Sequence, residues 1–167
     1  MFSGRLTHAT LRALDWLANR TLQGRQREAH PPPGQDQTPD DPPAHQRVGR
    51  LGEEAAYFHL RRRGYVMIAR NYRSPHHRGE LDLVGWDREV LCFIEVKTRT
   101  SHSVKPAGAA VDLHKQKELW RVARDFLRQM PSECPWRFDV LAVYYEDSHP
   151  NQPAFELFQN AFSVAYN

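Results

Sequence analysis

Two short runs gather the side chains best suited to chemistry, Gly79-Glu80-Leu81-Asp82-Leu83-Val84 and Phe93-Ile94-Glu95-Val96-Lys97. Both read as apolar strands with charges set into them. Side chains alternate faces along a strand, so Glu95 and Lys97 project on one side, and Glu80 and Asp82 share a side of theirs. Asp87-Arg88-Glu89 predicts a hairpin turn that returns the chain antiparallel and brings Asp82 near the level of Glu95 and Lys97. Two or three carboxylates and one lysine are thus expected to converge. Carboxylates unpaired among Leu, Val, Phe and Ile repel and raise one another's pKa, so they require a cation. Hard oxygen ligands suit Mg2+ or Mn2+, not zinc. Such an ion neutralises charge building on a phosphodiester, and a lysine beside it positions water or helps to deprotonate it. The chemistry expected is metal-assisted phosphodiester hydrolysis. The competing reading is a solvated charged face, because Glu-x-Lys by itself is a weak pattern.

The elements that must hold these residues can be read from spacing. Gly52 to Arg63 predicts a helix, with Arg61-Arg62-Arg63 at its negative end and Gly64 as the cap. Glu53, taken alone, is a first-turn carboxylate favoured by the helix dipole. Tyr65 to Ile68 predicts a short strand, and Ala69 to Arg78 an irregular stretch. Leu81 to Trp86 and Val90 to Val96 form the hairpin. Asp112 to Gln129 predicts a helix packing through Leu113, Gln116, Trp120, Ala123 and Leu127. Phe138 to Tyr144 is apolar enough for a central strand, and Phe155 to Phe158 predicts a last one. This order gives an α/β fold on a mixed sheet flanked by helices.

Composition bounds the setting. The chain has 167 residues, 40% hydrophobic and 26% charged, as in globular proteins, and no run long enough for a membrane-spanning helix. Cys92 and Cys134 are too few for a disulfide framework or a cysteine zinc site, which suggests a reducing, cytoplasmic setting. A net charge of +3 is compatible with a nucleic-acid partner without demanding one. From Gly24 to Arg47 the only apolar residues are Ala29 and Ala44, while six of the 12 prolines fall there, so a disordered linker is expected. Leu6 to Leu22 predicts a short helix before it. Residues 1–47 are therefore read as an extension and 48–167 as the folded domain.

Several spaced blocks, in order, resemble the YraN-like (UPF0102) proteins, which are similar to archaeal Holliday-junction resolvases and to restriction-endonuclease-like (PD-(D/E)XK) nucleases. The blocks are Gly49-Arg50-Leu51-Gly52-Glu53 with Ala56, Gly64-Tyr65, Asn71-Tyr72-Arg73, the two strand runs above extended through Thr98-Arg99, Ala110-Val111 with Lys115, and Arg137-Phe138-Asp139-Val140. The resemblance covers about 120 residues. Arg78 stands where the family usually has the first of two glycines, and residues 1–47 match nothing in it. It implies a restriction-endonuclease-like core in which Asp82 and Glu95 are metal ligands, Lys97 the catalytic lysine, and Glu53 a helix carboxylate completing the site. Glu80 is implied only as a second-tier ligand. The implied activity is an Mg2+- or Mn2+-dependent DNA endonuclease, preferring branched DNA and dimeric by analogy with the junction resolvases.

Arg73, Arg78, Arg99 and Lys115 are candidate phosphate contacts, within a wider basic rim that includes Arg61 to Arg63, Arg70, Lys105 and Lys117. His76-His77 reads as a polar loop near phosphate, since no further ligands stand at zinc spacing. Gln116 and Trp120 are expected to support the core. Asp139 is either a capped structural carboxylate or a distant support to the site. Two other functions remain open: a non-catalytic nucleic-acid binding module on the same fold, and a protein-interaction role through residues 1–47.

Overall fold

The computed structural model describes residues 44–99, 111–145 and 152–163. The expected Leu6 to Leu22 helix, most of the linker, Lys105 and Ala110 lie outside them. Helix α1 spans Ala44–Arg62 and leads to strand β1 (Val66–Arg73). Strands β2 (Glu80–Asp87) and β3 (Val90–Arg99) follow, then helix α2 (Leu113–Leu127), β4 (Trp136–Tyr144) and β5 (Ala154–Phe162). The sheet order is β1-β2-β3-β4-β5. Strands β3 and β4 are parallel and every other neighbouring pair is antiparallel, so the sheet is mixed.

One helix covers each face. Leu119, Val122, Ala123 and Phe126 of α2 are buried with Val84, Trp86, Phe93, Phe138 and Val140. On the opposite face, Ala56 and Leu60 of α1 are buried with Leu83, Cys92, Ile94, Val96, Leu141 and Val143. Central strands covered on both sides are the reason β2, β3 and β4 read as nearly continuous apolar runs.

Four elements differ from expectation. Helix α1 begins at Ala44, eight residues before Gly52 and inside the stretch read as linker; Gly49 and Gly52 are carried within it. Strand β1 runs on to Arg73 through the stretch expected to be irregular, absorbing a register shift between Met67 and Ala69 and a left-handed residue at Asn71 (φ 48°). Strand β5 extends to Phe162, with another left-handed residue at Asn160 (φ 50°). The buried face of α2 is rotated from the expected one. Leu113 is 74% exposed, and Leu119, Val122 and Phe126 take the core positions. Gln116 donates to the Val111 carbonyl (2.8 Å), and Trp120 is half-buried beneath Arg124.

Asp139 is a structural carboxylate. It is fully buried, accepts hydrogen bonds from Arg137 Nε (2.8 and 3.1 Å) and from the Asn160 amide (2.8 Å), and so satisfies the irregular turn of β5. The Arg137 guanidinium also reaches Asp87 (2.8 Å) and the Tyr65 hydroxyl (3.2 Å), tying β4 to β2 and to the residue before β1. Removing Arg137 leaves Asp139 as an uncompensated buried charge, the kind of change that costs about 3–5 kcal/mol.

Gly52 governs how α1 meets the sheet. A Cβ placed there would stand 1.8 Å from Thr98 Oγ1 and 2.9 Å from its Cβ, on the strand that carries Glu95 and Lys97. At Gly49, by contrast, an added Cβ meets nothing within 4 Å. Gly52→Ala is therefore expected to destabilise the domain by about 1–3 kcal/mol through overpacking. Gly49→Ala should be neutral, or stabilising by about 0.5–1 kcal/mol, because an alanine favours the helix. Paired denaturant titrations check the contrast, and equal effects at both positions would refute the close contact.

Candidate active site

The site forms where strands β2 and β3 part. Their paired positions run from Asp87↔Val90 to Leu83↔Ile94. One residue further along, the Asp82 side chain takes over the ladder's role: Val96 N–H donates to Asp82 Oδ2 at 2.7 Å. Buried amides must find an acceptor, so this carboxylate is held firmly in the sheet. The faces of β1 and β2 switch at the same level. Leu81 and Tyr72 belong to the α2 side, whereas Leu83 belongs to the α1 side and Arg70 lies over Tyr57 of α1. Asn71 supplies the required left-handed turn of backbone in β1. Asp82 therefore feels groups from both helices, Glu53 of α1 and Lys115 of α2.

Glu95 is 4% exposed. Its Oε1 is 2.8 Å from Lys97 Nζ and 3.4 Å from Lys115 Nζ, while its Oε2 is buried without a hydrogen-bond partner among the described residues. The expected pairing of Glu95 with Lys97 on one face is thus present. Lys115, expected only as a phosphate contact, reaches in from the first turn of α2 as a second cation. Its helix position gave no warning, because one turn of helix says nothing about what lies across a sheet face.

Burial and the neighbouring Glu95 push the Asp82 carboxyl up to about 7, against the opposing pull of the Val96 amide and Lys115. Two buried carboxylates, one with an orphaned oxygen, are suited to an oxygen-preferring cation, because leaving a buried charged oxygen unsatisfied is costly. Among the described residues no three His, Cys, Asp or Glu side chains are gathered to hold an ion alone. Mg2+ typically takes only one or two carboxylates and completes its shell with water and phosphate oxygens, so the donor set suits that ion.

The other candidates divide. Glu80 does not join the pair. Its carboxylate is bound by Arg73 at the sheet's edge (2.7 Å), because β2 changes face between Glu80 and Leu83. Lys115 and Arg78, with Arg73, line a cavity beside the pair. Arg99 instead interacts electrostatically with Tyr144 of β4, and its Nε is buried without a partner. His77 lies 3.7 Å from Asp125, a buried α2 carboxylate to which Ser74 Oγ donates at 2.5 Å. The Ser74–Asp125 link was missed from sequence because the residues are 51 positions apart.

Fold and site together define an α/β protein whose mixed sheet opens around a buried carboxylate pair with two lysines. Comparison with known proteins then identifies the family. Residues 52–143 match the model described as "Uncharacterised protein family UPF0102", and the chain belongs to that family. It is 52% identical over 110 residues to a UPF0102 protein of Koribacter versatilis, covering 66% of this chain and 77% of the relative. It is 41% identical to one of Solibacter usitatus (68% and 84% covered) and 39% identical to one of Trichlorobacter lovleyi (72% and 94% covered). Among the described residues no helix is long and apolar enough to cross a membrane.

Because the folded protein holds a proton on Asp82 more tightly than the unfolded chain does, this residue's contribution is fully present below pH 3.8 and is lost as the pH rises to about 7. Asp82→Asn keeps an acceptor for Val96 N–H without the charge. The variant should match the wild type near pH 4 and be more stable at pH 8, by on the order of a few kcal/mol. Melting curves across that range check it, and parallel pH profiles for the two proteins would contradict it.

Proposed function

We propose that this protein is a metal-dependent endonuclease that hydrolyses phosphodiester bonds in DNA, with Mg2+ or Mn2+ bound by Asp82 and Glu95. The observation carrying this reading is the buried, unpartnered Glu95 Oε2 beside Asp82 at the parting of β2 and β3. A divalent ion bound there supplies charge neutralisation for the phosphodiester undergoing attack. Glu95 Oε1 holds the Lys97 ammonium by a 2.8 Å bond, so this cation is positioned before substrate arrives. Lys97 then donates to the phosphoryl oxygen on which charge accumulates, which stabilises the transition state more than the ground state. Lys115, 3.4 Å from Glu95 Oε1, orients that carboxylate from the helix side. Glu53, acting on Asp82 from α1, is the acceptor for a hydrogen bond from the attacking water.

A second reading, a nucleic-acid binding module without catalysis, is favoured by one feature: two lysines already hold Glu95 Oε1, and among the described residues no third carboxylate closes on the pair. The two readings separate in one assay on linear, single-stranded and branched DNA with Mn2+. The endonuclease reading expects cleavage that stops on chelation and falls about 10²- to 10³-fold in Glu95→Gln and in Lys97→Ala. Salt-sensitive binding without cleavage of any of these substrates would leave the binding module in its place.

A further inference from the structure

Between the β1–β2 connection and the first turn of α2 lies a cavity of about 430 Å3, lined by Arg73, Ser74, His77, Arg78, Gly79, Glu80 and Lys115. Three of these are permanent cations and one is a carboxylate, already occupied by Arg73. Arg78 is exposed and makes no ion pair among the described residues. Lys115 belongs to two sites at once, since it lines the cavity while its ammonium lies 3.4 Å from Glu95. An ammonium has three donors, so contact with Glu95 leaves others for the cavity.

The walls are held in place. Buried Asp125 accepts a hydrogen bond from Ser74 Oγ (2.5 Å), pairs with Arg128 (3.1 Å) and stands 3.7 Å from His77. Ser74 Oγ in turn accepts from the His76 amide (3.0 Å). Gly79 (φ 99°) lets the loop turn against α2, where a Cβ would already touch Glu118 at 3.6 Å. A preformed pocket with an unspent guanidinium and a shared lysine is suited to a tetrahedral oxyanion.

We propose that this cavity is a phosphate subsite, taking a backbone phosphate of the strand next to the one presented to Asp82, Glu95 and Lys97. The assignment rests on the nucleic-acid reading above and adds to it where the strand runs: over the 74–79 connection, with Lys115 between the two phosphates.

The test titrates inorganic phosphate, and separately a short oligothymidylate, into the full chain while following the Gly79 amide and the Arg78 side-chain N–H by 15N NMR. Both probes are expected to move these resonances saturably, and Arg78→Glu should weaken both by about tenfold or more. Arg78 is exposed, so the variant should fold, which its amide spectrum verifies. Non-saturating drift, or affinities unchanged in Arg78→Glu, overturns the subsite. Saturation by inorganic phosphate without any effect of the oligonucleotide overturns the backbone assignment. Cleavage with Mn2+ is scored apart: binding at Gly79 without cleavage sinks the endonuclease and leaves the subsite standing. Cleavage with unaltered affinities in Arg78→Glu does the reverse.

Discussion

A single hydrogen bond, from the Val96 amide to Asp82, determines the character of this molecule. A ladder that continued with backbone acceptors would seal β2 to β3 and leave no room for polar chemistry within the sheet. Replacing a carbonyl with a carboxylate lets the strands separate while the amide stays satisfied, and it places an ionisable group in an apolar interior. The raised proton affinity of Asp82 is the direct result. The lysines on Glu95 and the close approach of α1 at Gly52 are arranged around that opening.

Two charged clusters of the sheet handle buried charge in opposite ways. Asp139, Asp87, Tyr65 and Gln159 form, around Arg137, a network in which each charged group has its partner. Where β2 and β3 part, Glu95 keeps an oxygen unsatisfied among the described residues and Asp82 shares the space with another carboxylate. Saturated networks specify a fold, whereas unsatisfied ones are poised to accept something from outside.

Much of this was legible in the residues. Period-two apolar patterning revealed β2 and β3, and it placed Glu95 with Lys97 and brought Asp82 level with them. The mixed sheet followed from the order of elements. What escaped were features with no local signature. Alternation put Glu80 beside Asp82, but the strand changes face there, with the left-handed Asn71 opposite. The part of α1 before Gly52 was hidden by its proline-rich surroundings and its own glycines. In α2 apolar spacing gave the helix but not its rotation, because which stripe is buried is set by packing against the sheet and not by the helix itself. Contacts such as Lys115 with Glu95 and Ser74 with Asp125 are long-range and belong to packing alone.

The contact between Gly52 and Thr98 also has a mechanical side. Eight residues of α1 precede Gly52, an arm of roughly 12 Å at the rise of an α-helix. Backbone set directly against a side chain, with no Cβ between them, fixes how closely the whole helix approaches β3, one residue from Lys97.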